Sequence, residues 1–292
     1  MDNENRIEFY KNRSFGERLS AAADFLRQNW KVFYKNILIP AIPFVLLMAY
    51  LLPEYMKMVP LLSSGDLSAI LTFGSLGMLF FLVAMCFSLY LYAMSGALMQ
   101  LYEEGGLTDK TSWSDLSGRM FSNAGKIFLI VLAMFLIIIV VSLIIGLLIA
   151  MGGTGLRVLI VFLLIFGLIA VLPPLSLIIF PSLFRGASVW ESISKGLGIG
   201  FKNWGSTFGV LFIVGLMSVV VSYLLELPPQ FWMLFHPGQT GVVLYLLTIL
   251  SSLASVFVTP FLFVFLAFQY FSITEKEEGI SLQNKVDEFD NL

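Results

Sequence analysis

Three acidic residues and the single histidine are the side chains in this sequence best suited to acid–base chemistry. Glu54 and Asp66 follow the first apolar run of the chain, and Glu226 and His236 follow the fifth. A catalytic site would require these groups to converge, so that one donates a proton and another accepts it. They are scattered over two loops, where solvated charges are the commoner explanation. We therefore predict no catalytic residue and a chain that is not an enzyme.

Ligands for a metal or a cofactor are equally scarce. Cys86 is the only cysteine and His236 the only histidine, which excludes a thiolate cluster and histidine-rich ligation. Gly196, Gly198 and Gly200 are spaced as G-x-G-x-G, but a dinucleotide fingerprint needs a preceding strand. Close packing of a helix is the favoured interpretation of these glycines. We predict no cofactor and no metal site.

Prolines interrupt two of the apolar runs, with Pro40 and Pro43 in the first and Pro173 and Pro174 in the fourth. A proline removes a backbone donor and leaves a carbonyl free. Such a carbonyl can shape a binding cavity or a hinge, or it can be satisfied by a neighbouring helix as part of a packing kink. We favour the kink.

The distribution of charge decides the class of protein. Of the 17 basic and 19 acidic residues, only 16 fall in the 235 positions between residues 37 and 271. A soluble domain has about 25% charged residues, so this composition excludes a soluble enzyme, a nucleic-acid binder and a disordered chain. The sequence predicts an integral membrane protein, with the lipid bilayer as its first partner and no nucleic acid.

Six apolar runs are long enough to cross the hydrocarbon core, which needs about 20 residues per helix. They cover about 33–52, 69–101, 127–151, 158–183, 207–225 and 242–271. The runs are continuous rather than alternating, which predicts an all-α bundle of six transmembrane helices in a single membrane domain, 1–292. Residues 1–32 are predicted to be a cytoplasmic segment with an interfacial helix, and 272–292 a cytoplasmic acidic tail.

Basic residues predict the orientation of the chain in a cytoplasmic (inner) membrane. Fifteen of the 17 lysines and arginines lie in the two termini and the even-numbered loops, and the odd loops hold only Lys57 and Arg157. Because basic loops stay on the cytoplasmic side, both termini are predicted to be cytoplasmic.

A capping-box pattern, in which an acid follows serine by three residues, precedes each odd-numbered span. The copies are Ser14 with Glu17, Ser112 with Asp115, and Ser188 with Glu191. Each opens an apolar stripe at helical spacing, which predicts three cytoplasmic interfacial amphipathic helices. Tryptophans would anchor them at headgroup depth, namely Trp30, Trp113, Trp190 and Trp204. The succession of interfacial helix, span, outer loop and long span predicts a three-fold parallel repeat.

Three short segments carry a resemblance to a known group of proteins. They are Pro181-Ser182-Leu183-Phe184 at the end of a span, Ser188 to Phe201, and Asn203-Trp204 before the next span. This layout resembles uncharacterised bacterial multi-pass membrane proteins, including those similar to the membrane domain of glycerophosphodiester phosphodiesterases. The resemblance implies the multi-pass fold. In such enzymes catalysis belongs to a separate soluble domain, so no catalytic residue and no phosphodiesterase activity is carried over.

Two functions fit these features. The first is a non-enzymatic scaffold or accessory subunit that assembles with other membrane or cytoplasmic proteins through its interfacial helices and acidic tail. The alternative is a transporter or flippase-like handler of lipids or other apolar molecules, which would need no charged residues in the membrane. Coupled ion transport is disfavoured, because the spans lack the ionisable residues that mark ion pathways.

Overall fold

The structure is a computed structural model that describes residues 6–58, 67–236, 239 and 241–280. Those residues form eight helices and no strand. The helices are α1 (Phe15–Met58), α2 (Leu67–Glu103), α3 (Trp113–Met151), α4 (Thr154–Leu175), α5 (Phe180–Arg185), α6 (Val189–Lys202), α7 (Trp204–Phe235) and α8 (Val242–Glu278). The predicted all-α class is confirmed.

Six helical segments in the described part of the chain are long and apolar enough to cross a membrane. They are Phe15–Lys57, Ile70–Glu103, Trp113–Met151, Thr154–Arg185, Trp204–Phe235 and Val242–Glu278. Each contains one of the six predicted apolar runs or nearly all of it, so the prediction of six membrane-length helices is confirmed. This is the architecture of a multi-pass membrane protein.

The helix boundaries differ from the predicted spans at the ends that carry the basic residues, and α7 also continues to Phe235 beyond its predicted end at residue 225. α1 begins at Phe15 and α3 at Trp113, and each runs without a break from its capping serine to the far end of the span. Only the third such segment is a helix of its own, because α6 ends at Lys202 before α7 begins at Trp204. α8 extends to Glu278 and so includes the first residues of the predicted acidic tail. Residues 281–292 lie outside the described residues.

The chain divides into two compact units. The first takes in the described residues of Met1–Phe25, Phe121–Ile213 and Val264–Leu292. Its core contains an aromatic cluster in which Phe9, from the segment before α1, stacks on Phe271 and meets Phe268 edge-on. A second cluster joins Ile130 of α3 to Ile178 and to Ile193 of α6. The amino-terminal segment, α6 and the end of α8 are therefore integral parts of this unit.

The second unit takes in the described residues of Leu26–Met120 and Val214–Phe263. Ala41, Val45 and Ala49, spaced four residues apart, lie on the buried side of α1 together with the larger Phe33 and Ile37. Phe44 of the same helix stacks on Phe87 and Tyr90 of α2. Aromatic stacking thus contributes to the contact between α1 and α2.

Candidate functional site

Glu54, one of the acidic residues that could have supported catalysis, has ordinary partners. Glu54 Oε1 accepts hydrogen bonds from Lys57 Nζ at 2.6 Å and from the Tyr245 hydroxyl at 2.7 Å. Neither partner is another acid or His236, so Glu54 belongs to a local ion pair. Asp66 lies outside the described residues.

His236 stacks its imidazole on the Trp232 indole, with ring centroids 4.1 Å apart. Its Nδ1 lies 3.2 Å from the carbonyl of Trp232, one helical turn earlier. Among the described residues, no three side chains of histidine, cysteine, aspartate or glutamate lie close enough to hold a metal ion.

The prolines of the first span leave α1 unbroken, although Pro40 lacks the N–H that would bond the carbonyl of Asn36. The Tyr90 hydroxyl of α2 lies 3.4 Å from that carbonyl and donates to the next one, Ile37, at 2.7 Å. A buried tyrosine thus supplies the donor that the proline removes, as a packing kink requires.

An aromatic donor serves a proline of the fourth span in the same way. The Trp204 indole N–H donates at 2.7 Å to the carbonyl of Ala170, four residues before Pro174. Trp204, predicted only as an interfacial anchor, therefore also satisfies a backbone group of α4.

In the fourth span the regular helix α4 ends at Leu175, and residues 176–179 form turns before α5 begins at Phe180. Ser192 of α6 bridges this break. Its hydroxyl donates to the carbonyl of Ile178 at 2.6 Å and accepts from the backbone N–H of Ser182 at 2.9 Å. Ser192 is fully buried, so both backbone groups are satisfied away from water.

Two glycines let the backbone of α6 approach the broken span. A Cβ atom on Gly196 would lie 2.4 Å from the Cα of Ile178, and one on Gly200 would lie 2.3 Å from the Cα of Pro174. A Cβ on Gly198, between them, would meet no atom within 4 Å. The glycine run is therefore a packing motif, as the sequence favoured, and its pair at four-residue spacing makes the contact.

The three capping serines each immediately precede a helix. The N–H of Ser14 donates to Glu17 Oε2 at 2.7 Å, and the N–H of Ser112 donates to Asp115 Oδ2 at 2.8 Å. In the third copy the Ser188 hydroxyl accepts from the N–H of Glu191 at 3.4 Å. Serine and acid thus satisfy backbone donors that a helix start leaves free.

Ion pairs lie within α6 and between the helices α5, α6 and α8. Lys195 Nζ lies 2.9 Å from Glu191 Oε1, and this hydrogen bond holds the pKa of the Glu191 carboxyl below its ordinary value. Lys202 Nζ lies 3.1 Å from Glu277 Oε1, and Arg185 pairs with Glu278 at 2.6 Å. These pairs join α5 and α6 to the end of α8.

The remaining predicted anchors are exposed. Trp190 has 69% of its surface accessible, and Trp30 and Trp113 are also exposed. Lys31 lies over the Trp30 ring, with its ammonium 5.9 Å from the ring centroid. These three indoles leave surface free for headgroups or for another protein.

Two arginines before and within α1 bind the end of α8, which the sequence did not indicate. The N–H of Arg13 donates to the Ser272 hydroxyl at 3.0 Å, and Arg18 Nη1 donates to Gln269 Oε1 at 2.9 Å. Gln269 in turn donates to Ser206 and Thr207 of α7. Gln269 lies at the polar end of the sixth span and is completely buried.

An open apolar groove of about 480 Å³ lies between α4 and α7. It is lined by Ile169, Leu172 and Pro173 of α4 and by Phe208, Leu211 and Phe212 of α7, together with Leu175 and Ser176. The hydroxyl of Ser176 donates to the carbonyl of Pro173 at 2.7 Å. Pro173 is the one member of the predicted proline set that contributes to this groove.

Comparison of the chain with protein-family models, with curated proteins and with solved structures found no match. The resemblance to membrane domains of glycerophosphodiester phosphodiesterases therefore stays a prediction, which rests on the three short segments that suggested it.

Proposed function

We propose that the protein is a non-enzymatic scaffold or accessory subunit of a membrane complex. The observation that supports this proposal is the division of α6 into two faces. One face is fixed by Ser192, Gly196 and Gly200 against the broken fourth span. The other exposes Trp190 and Phe201, and large exposed aromatic side chains are enriched where proteins bind one another.

A rigid helix is well suited to present such side chains. Because its buried face is held by backbone contacts, α6 loses little conformational freedom when a partner covers the exposed face. Trp190 and Phe201 are eleven positions apart, which places them about three helical turns apart on one side of the helix. A helix or loop of a partner protein could lie along this side.

The test is purification from native membranes in mild detergent, with mass spectrometry of the proteins that co-purify. Phe201→Ala is expected to weaken capture of a stoichiometric partner about tenfold, as loss of an interface hot spot does. Phe162→Ala is the matched control, because Phe162 is 55% and Phe201 51% exposed, but Phe162 lies within the apolar part of α4. Equal loss in both variants, or an enriched lipid with no protein partner, would contradict the proposal.

We propose further that the chain lies in a cytoplasmic membrane with both termini in the cytoplasm. The 15 basic residues of the termini and even loops support this orientation. The capping serines at the starts of α1, α3 and α6 support three amphipathic interfacial segments and a parallel repeat. Labelling of single cysteines in a Cys86→Ala background, one near residue 110 and one near residue 155, tests the orientation from either side of the membrane.

The alternative function, a handler of lipids or other apolar molecules, is favoured by one observation, the groove between α4 and α7. Transfer of a fluorescent phospholipid between the leaflets of proteoliposomes tests it. Accelerated transfer would replace the scaffold proposal, and transfer at the rate of empty liposomes would reject the alternative.

A further inference from the structure

Arg18 is partly buried, and its hydrogen bonds are to neutral groups. Its Nε donates to the carbonyl of Arg13 at 2.9 Å, and its Nη1 donates to Gln269 Oε1 at 2.9 Å. Within the described residues no carboxylate pairs with Arg18. Cations elsewhere in the same residues do pair with glutamates, at 2.6 to 3.1 Å, among them Lys57, Arg119, Arg185, Lys195 and Lys202. A guanidinium that is partly removed from water attracts an anion, and its planar fork matches the oxygens of a phosphate.

Buried neutral groups hold the guanidinium of Arg18 in place. Gln269 is completely buried, and its amide nitrogen donates to the Ser206 and Thr207 hydroxyls at 2.9 and 3.1 Å. These bonds turn its carbonyl oxygen toward Arg18. Because the bonds of Arg18 use Nε and Nη1, the Nη2 amino group keeps its N–H donors for a ligand. A side chain that is already fixed loses little conformational freedom when it binds.

Arg18 lies level with the start of the apolar part of α7. Lys202 precedes this helix, and Phe208 is the first of the large apolar side chains that the helix exposes. Gln269, which bonds Arg18, contacts α7 between these two positions, at residues 206–207. In a membrane-length helix such a boundary is where the hydrocarbon core gives way to lipid headgroups. Arg18 is therefore near the depth of lipid phosphates.

Phe15 supplies an apolar surface beside the guanidinium. It lies three positions before Arg18, so the two side chains share one face of α1. A Cβ atom on Gly209 would lie 3.1 Å from the Phe15 ring, which shows that the ring packs against the apolar part of α7. Phe15 is nevertheless 36% exposed. A cation followed by an apolar ring matches the phosphate of a phospholipid and the acyl chain next to it.

We propose that Arg18 forms a binding site for a phosphate group at the membrane boundary, and that its depth and its neighbour Phe15 favour the phosphate of a glycerophospholipid. The Nη2 amino group donates to the phosphate oxygens, while Nε and Nη1 stay bonded to Arg13 and Gln269. The site uses none of the residues that support the scaffold role, so it does not depend on that role.

Native mass spectrometry of the delipidated full chain, titrated with phosphatidylglycerol, tests this site. Arg18→Gln is expected to weaken binding about tenfold, which corresponds to about 1.4 kcal/mol. Arg119→Gln is the matched control, because it removes the same charge from an arginine that pairs with both carboxylate oxygens of Glu104 at 2.6 Å. Equal losses in the two variants would mean that net charge alone attracts the lipid, and would overturn the site.

Gln269→Glu asks the same question while it keeps Arg18, and it serves if Arg18→Gln does not fold. Glutamate has nearly the shape of glutamine and gives Arg18 a carboxylate partner within the chain. That carboxylate competes with the phosphate, so phosphatidylglycerol binding is expected to fall about as far as in Arg18→Gln. Full binding by a folded Gln269→Glu variant would contradict the proposal.

Two other ligands separate the phosphate from the molecule that carries it. Diacylglycerol has the acyl chains without the phosphate, and the unaltered chain is expected to retain much less of it than of phosphatidylglycerol. Equal retention of the two lipids would overturn the phosphate site. Inorganic phosphate alone is expected to leave the unfolding midpoint unchanged. A rise in the midpoint that Arg18→Gln abolishes would support a phosphate site but overturn the assignment of a lipid as its ligand.

Discussion

Two proline pairs in this protein have opposite outcomes. Pro173 and Pro174 lie in the last turn of α4, which ends at Leu175. Pro228 and Pro229 lie inside α7, which continues to Phe235. Because the dipeptide is the same, the prolines alone do not decide where a helix of this chain ends.

The two proline pairs differ because other parts of the chain pack against the first pair. Beside Pro174, α6 brings its glycine backbone into contact, and Trp204 satisfies the carbonyl of Ala170. Ser192 satisfies one backbone group of the turns, at Ile178, and one of α5, at Ser182. A helix can stop inside a membrane-length segment only where other groups replace its lost hydrogen bonds. The end of α4 is therefore a tertiary feature that depends on α6.

Substitution of the contact glycines should have the largest effect on this region. Gly200→Ala and Gly196→Ala each place a Cβ within 2.4 Å of a backbone atom, so α6 must move away. We expect each to destabilise the protein by about 3 kcal/mol, measured as a lower midpoint of thermal unfolding in detergent.

Gly198→Ala is the control for this pair, because a Cβ there meets no neighbour. Removing a glycine from the interior of a helix should leave the stability unchanged or raise it by about 0.5–1 kcal/mol. If all three alanine variants have the same unfolding midpoint, the inference that α6 approaches the broken span closely is wrong.

Local signals in the sequence predicted part of this region. The continuous hydropathy of the fourth span predicted its position, and the capping pattern of Ser188 and Glu191 predicted the start of α6. Both signals are local, because each is carried by residues that are close together in the sequence. The glycine spacing indicated close packing, but nothing local identifies Pro174 and Ile178 as the surfaces that are contacted.

Long-range polar contacts were missed for the same physical reason. Arg13 and Ser272 bond across 259 positions of sequence, and no periodicity connects them. Gln269 is polar and closes the sixth span, yet its amide is buried and bonded to Arg18, Ser206 and Thr207. Whether a polar residue at a span end is exposed depends on which segments fold over it.

Ser192→Ala should have the next largest effect. It leaves the N–H of Ser182 and the carbonyl of Ile178 without the partner that they have now, and an unsatisfied buried group costs about 1–3 kcal/mol. Hydrogen exchange at the Ser182 amide should accelerate along with the loss of stability. Ser194→Ala, on the exposed side of α6, should change neither measurement, and a protected Ser182 amide in the Ser192→Ala variant would refute the bridge.

Trp204→Phe should have a smaller effect, because phenylalanine keeps the stacking on Phe208 but loses the N–H that donates to Ala170. The expected cost is about 1 kcal/mol, again as a shift in the unfolding midpoint. Trp190→Phe is the control, since Trp190 is exposed. Equal unfolding midpoints for Trp204→Phe and Trp190→Phe would mean that the carbonyl of Ala170 needs no side-chain donor.

The smallest effect should come from the exposed side of α6, where the bond to Lys195 lowers the pKa of Glu191. A carboxyl whose pKa is lower in the folded state stabilises that state above its unfolded pKa, and this contribution disappears as the pH falls through the folded pKa. The unaltered protein should therefore unfold at a slightly higher temperature than Glu191→Gln at pH 7, and the difference should vanish well below the ordinary glutamate value of about 4.3. A difference that grew on acidification would mean that Glu191 is destabilising when charged. If Glu191→Gln lowered the stability as much as Gly200→Ala, charge interactions rather than backbone contact would hold α6 in place. The contrast between the two proline pairs would then have an electrostatic cause instead of the backbone contact with Pro174.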